Sequence, residues 1–261
     1  MADKYTSRIA LVLEAPVADV AEVVRAAGAS KDLDRAGPVR GSEPNEAQEV
    51  HWGGRMQKAV VRQLTEGSDP LLRTETYVGS DGFPEGMRRQ AQLVQALARQ
   101  LKGRVGAVRD LSAMADRDLA WVNRLAIGSV QLDDAVTVVA DGEGTWWVRT
   151  HGLARFDVPD LELYGLSKGQ VAGAEVALRH VADQLLRGGL RADLRLPDDT
   201  PVRLVPVLEA WTHVPLDWPG VGRAGVQRGE GLDGPRASLS IHHRPRFGRY
   251  KVDLKGVLAA L

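Results

Sequence analysis

Two long amphipathic segments set among short strand-like runs limit the folds open to this chain. Residues 84–102 place Met87, Ala91, Val94, Leu97 and Leu101 on one stripe, with Arg88, Arg89, Gln92, Gln95 and Arg99 facing away from it. Residues 168–187 repeat the pattern with Ala174, Leu178, Val181 and Leu185, and Gly188-Gly189 ends it. A single apolar stripe must lie against a sheet or another helix. Short apolar or alternating runs supply the sheets: 8–13, 57–64, 70–78, 104–108, 134–140, 145–150, 161–164, 191–196, 203–208, 236–242 and 249–255. Asp141-Gly142-Glu143-Gly144 marks a hairpin, and Pro201 and Pro206 place 203–208 at a sheet edge. The expectation is an α+β protein with mixed and antiparallel sheets.

Val17, Val20, Val24 and Ala27 fall at helical spacing after the first strand. The N-terminal half then reads β-α-β-β-α-β, the order of a ferredoxin-like sandwich. Residues 29–48 are polar and rich in Gly and Pro, and read as a surface loop. A further helix is expected over 112–126 with Ser112 as N-cap. We place a boundary near residue 128, giving halves 1–128 and 129–261, either separate domains or two parts of one core. Residues 215–235 are rich in Pro and Gly and read as a long loop, with Trp211 before it and Trp218 near its start.

Composition excludes several functions. Lys plus Arg and Asp plus Glu are 34 each, so the formal charge is zero and nothing pulls the whole chain to nucleic acid or an anionic membrane. Without cysteine there is no thiolate metal site, disulfide or cysteine nucleophile. No run approaches the ~20 apolar residues of a membrane span, and MADKYTSR lacks a signal-peptide core. A cytoplasmic protein is expected. The preference for Arg over Lys, with abundant Ala, Gly and Val, suits a GC-rich bacterial genome.

Gly165-Leu166-Ser167-Lys168-Gly169 matches the G-x-S-x-G nucleophile elbow of serine hydrolases. That elbow follows a strand that is apolar on both faces, whereas Leu161-Glu162-Leu163-Tyr164 alternates. Ser167-Lys168-Gly169-Gln170 also fits a capping box at the start of the long helix. Downstream acids (Asp193, Asp198, Asp199) and histidines (His213, His242, His243) are too many to choose a triad. The cap is the favoured reading, with Ser167 the catalytic candidate if the chain is an enzyme.

No metal ligand spacing or phosphate-binding glycine loop is present, so no metal or cofactor is expected. His151 with Asp157 and Asp160 is the nearest approach to a ligand group. Residues 242–251, HHRPRFGRYK, form a basic, aromatic hairpin in which Arg244, Arg246 and Arg249 could hold nucleic acid, against the neutral total charge. Trp146 and Trp147, adjacent in a strand, point to opposite faces, and an exposed one would suit a protein partner.

Trp147–Phe156, continued by Val158–Leu163, contains Thr150-His151-Gly152-Leu153, Phe156, Pro159, Leu161 and Glu162. This block resembles a "T-H-G-L-x-x-F-x-x-P-x-L-E" stretch of uncharacterised bacterial domains of unknown function. The resemblance covers about 20 residues and implies an α+β fold with a binding or accessory role. It carries no catalytic residues. Gly152 should let the chain turn, Leu153 and Phe156 should pack beneath it, and His151 should hydrogen-bond within the turn. His151 and Arg155 are the polar groups there that could meet a ligand. The function expected is a non-enzymatic protein-binding or accessory module, with serine hydrolysis at Ser167 or nucleic-acid binding at 242–251 as alternatives.

Overall fold

The computed structural model describes residues 7–28, 33–43, 45–52, 57–79, 82–211, 236–241 and 252–261. Two compact units divide the chain, Met1–Gln131 and Leu132–Leu261. Both are α+β, the first with an antiparallel sheet and the second with a mixed one.

Unit 1 contains strands β1 (Ser7–Leu13), β2 (Leu33–Pro38), β3 (Ala47–Trp52), β4 (Gln57–Glu66), β5 (Asp69–Thr76), β6 (Val105–Asp110) and β7 (Ala115–Arg117). Its helices are α1 (Val20–Gly28), α2 (Glu85–Leu101) and α3 (Leu119–Ile127). The strands form one sheet in the order β2-β3-β4-β5-β1-β6-β7, and each neighbouring pair is antiparallel. Alternation sends Ile9, Leu11, Leu72, Val61 and Val108 to one face, where each is fully buried or nearly so. Met87, Ala91, Val94 and Leu97 of α2 are buried with them. Gln90 is wholly buried and donates to the Ser7 carbonyl at 3.0 Å, which fixes α2 against β1.

Residues 29–48 are not a plain loop: they include β2 and the start of β3, paired from Pro38↔Gln48 to Leu33↔Trp52. The Gly, Pro and charge that read as loop are tolerated because β2 is an edge strand. Ser112 does not cap a helix. Its Oγ accepts from the Arg8 N–H at 2.8 Å, and α3 begins later, where Asp118 Oδ1 accepts from the Trp121 N–H at 2.7 Å. Asp118 has the extended backbone of an N-cap, and β7 occupies the residues before it.

Unit 2 contains β8 (Thr137–Glu143), β9 (Thr145–His151), β10 (Asp160–Leu166), β11 (Val202–Pro206) and β12 (Arg236–Ile241). Its helices are α4 (Leu132–Ala135), α5 (Val171–Gly188), α6 (Val207–Trp211) and α7 (Leu254–Ala259). The sheet runs β11-β12-β10-β9-β8, with β10 and β12 parallel and the other pairs antiparallel. β8 and β9 are a hairpin, and β11 lies at an edge. α5 packs on β8, β9 and β10, burying Leu178, Val181 and Leu185, and Val148, Leu161 and Leu163 are buried in the sheet. Tyr164 and Val205 form a second cluster with Ala210 of α6 and Leu254 of α7.

Two expected strands are not formed among the described residues. Residues 191–196 hold the end of a 3₁₀ turn (Gly189–Arg191) and one isolated bridge, Arg195↔Pro201, although Leu194 and Leu196 are buried. The later part of 249–255 enters α7, because Asp253 Oδ1 caps the Gly256 N–H at 2.7 Å. Residues 249–251 lie outside the described residues. Among the described residues, no helix is long and apolar enough to cross a membrane.

Candidate functional site

The elbow serine stands at the surface. Gly165, with φ +79°, sits in the register shift between Tyr164 and Leu166, and Ser167 follows it, exposed. Ser167 and Gln170 form a capping box around a 3₁₀ turn that leads into α5. The Ser167 N–H and Oγ–H both reach Gln170 Oε1 at 2.9 Å. Gln170 Nε2 in turn donates to the Leu258 carbonyl at 2.7 Å, tying the cap to α7.

The strand before the serine differs from the expected one. β10 is not half-exposed: Leu161, Glu162, Leu163 and Tyr164 are all buried, because the strand is internal to the sheet. Its alternation separates an apolar face from a buried polar one. Register places Glu162 opposite Arg149 of β9 and opposite Ser238 of β12, and Asp160 opposite Arg236. Charged residues from three strands therefore share one layer, joined by His151 at the end of β9.

His151 is 3% exposed. Arg149 Nε donates to its Nε2 at 3.1 Å, and Arg236 Nη2 stands 3.3 Å from its Nδ1. The expected hydrogen bond within the Gly152 turn is replaced by these two. Burial first, then the charges of Arg236 and Arg149, push the imidazole down to about pKa 4. At neutral pH the ring is uncharged, with one donor nitrogen and one acceptor. Its titration lies well away from pH 7, where a general acid–base group works best.

Asp160 accepts from Thr150 Oγ1 at 3.1 Å and the Leu153 N–H at 3.0 Å. Burial raises its pKa to about 6, while Arg236 and these hydrogen bonds pull it back. Glu162 Oε2 lies 3.9 Å from Arg236 Nη1. Burial lowers the Arg236 pKa, against the pull of Asp160 and Glu162. Arg149 pairs with Asp141 and stacks 4.0 Å over the Trp147 ring. Burial also pushes the Tyr164 hydroxyl up.

The turn that carries the resemblance acts as a frame. Gly152 has φ +113°, a conformation that favours glycine, and Leu153 and Phe156 are buried behind it. Arg155 is 1% exposed, and its Nε donates to the Gly152 carbonyl at 3.2 Å. Trp146 and Trp147 are both half-buried. Arg244, Arg246 and Arg249, with Trp218 and the rest of 242–251, lie outside the described residues.

The structure thus joins His151 and Trp147 to Arg149, Asp160, Glu162 and Arg236, and leaves Ser167 apart as a cap. In the sequence Asp160 stands out only as a ligand beside His151, and Arg149, Glu162 and Arg236 do not stand out as site residues. Their signal was period-two charge inside apolar strands: Trp147-x-Arg149-x-His151 and Asp160-x-Glu162-x-Tyr164. Among the described residues, no three His, Asp or Glu side chains converge as a metal site. Comparison with protein-family models, curated proteins and solved structures gave no match for this chain.

Proposed function

We propose that the chain is a non-enzymatic binding module whose binding face is the charged layer of the second sheet. The observation that carries this reading is the state of His151. A neutral imidazole fixed between two guanidiniums is placed to orient and recognise, and its titration lies away from pH 7, where a general acid–base group works best. The serine that matches the elbow is occupied at a helix start. Both features favour binding over turnover.

Unit 1 reads as a ferredoxin-like sandwich widened by β2, β3 and β7. Its support is the antiparallel order β6-β1-β5-β4, with α1 and α2 as the crossovers and as amphipathic covers. The block 147–163, which resembles stretches of uncharacterised bacterial domains, supplies the frame of the layer. A protein partner would meet the half-buried Trp146 and Trp147 only over the part of each ring that stays exposed.

A fluorophosphonate probe tests the non-enzymatic reading. We expect Ser167 to stay unlabelled in the folded protein. Labelling that disappears in Ser167→Ala would overturn the reading and restore the serine hydrolase.

A further inference from the structure

Building on the reading of this layer as the binding face, we infer that Arg149 and Arg236 hold a small oxyanion, a carboxylate or phosphate group, beside His151. Donors outnumber acceptors around the ring. A guanidinium only donates, and a neutral imidazole has a single acceptor nitrogen. Yet Arg149 Nε approaches one ring nitrogen and Arg236 Nη2 the other, at 3.1 and 3.3 Å. Whichever tautomer the ring adopts, one guanidinium faces an N–H and lacks an acceptor there.

Arg236 extends the shortage. Its side chain is 9% exposed, yet its Nε and Nη1 have no hydrogen-bond partner among the described residues. Glu162 Oε2, at 3.9 Å from Nη1, is beyond hydrogen-bond reach. Arg149 leans on Asp141, whose side chain is 56% exposed. Buried polar groups in native proteins are nearly always satisfied. An oxyanion between the two arginines would supply both the missing acceptors and a negative charge, in the planar geometry that guanidinium favours.

The surroundings narrow the ligand. So little of Arg236 is exposed that a small solute fits better than the surface of a folded protein. Asp160 and Glu162 lie in the same layer and would repel a highly charged ligand, which favours a group of low charge.

The test follows the thermal midpoint of the full chain against increasing acetate, inorganic phosphate or chloride at fixed ionic strength. General salting effects on stability do not saturate and are shared by variants. We expect a saturating rise with acetate or phosphate and none with chloride, the stronger of the two oxyanions identifying the group. In Arg236→Gln the half-saturating concentration should rise about 10- to 100-fold, the loss of charge-assisted hydrogen bonds. Arg236→Lys and Arg149→Lys keep the charge but lose the planar fork, and should weaken binding at least about tenfold. If Arg236→Gln does not fold, these two variants decide the matter. A response that does not saturate, or is unchanged in the lysine variants, overturns the proposal. Such a failure with Ser167 still unreactive would remove the ligand and leave the non-enzymatic reading in place.

Discussion

His151 and Asp160 depart from their ordinary titration ranges in opposite directions, and both effects begin with burial. The signs fix their contributions to stability. His151 is lowered to about 4, so its contribution is present above pH 6.5 and is lost as pH falls toward 4. Asp160 is raised to about 6, so its contribution is present below pH 3.8 and is lost as pH rises through 6. Between pH 4 and 6 the two slopes oppose each other. Urea unfolding at pH 4, 5, 6 and 7 separates them. Relative to His151→Asn, the wild type should gain up to about 3 kcal/mol from pH 4 to 6.5; relative to Asp160→Asn it should lose a similar amount from pH 4 to 6. Parallel curves for wild type and either variant would contradict the assignment. The sequence pointed to His151 and Arg155 through the Thr-His-Gly-Leu block. It could not point to Arg149, Glu162 or Arg236 in the same way. A charge alternating with leucine or valine normally faces water, and only the place of the strand in the sheet buries it.

At the scale of elements, stripes and turns were more legible than edges. α2 and α5 lie within a few residues of the segments read from their apolar stripes, and the β8–β9 hairpin turns at Gly144, where φ is +84°. β2 was hidden because an edge strand needs few apolar residues. α7 was hidden because Asp253 caps a helix of only Leu254–Ala259, too short to display a period. The start of α5 gives a direct test. Ser167→Ala removes one side of the capping box and should cost about 1 kcal/mol in chemical unfolding. Gln170→Ala also removes the hydrogen bond to Leu258 and should cost roughly twice as much. A larger loss from Ser167→Ala than from Gln170→Ala would mean that the serine makes interactions other than the cap.

Across the whole molecule, the two units have separate sheets, and the charged layer lies entirely within the second. Net neutrality argued against a broad electrostatic surface, and the charge that matters here is local and buried. It is assembled over distance: Arg236 meets His151 across 85 residues of sequence, through the parallel pairing of β10 and β12. No local pattern encodes that pairing, so the layer appears only once the sheet is formed. The layer depends on the imidazole at its centre being neutral. Nitrogen-detected NMR of the His151 ring in the full chain, followed from pH 3.5 to 8, measures this directly. We expect a neutral ring down to about pH 4, with a midpoint well below the ordinary 6.5. A His151 midpoint at or above 6.5 would contradict the account and return the residue to the pool of acid–base catalysts.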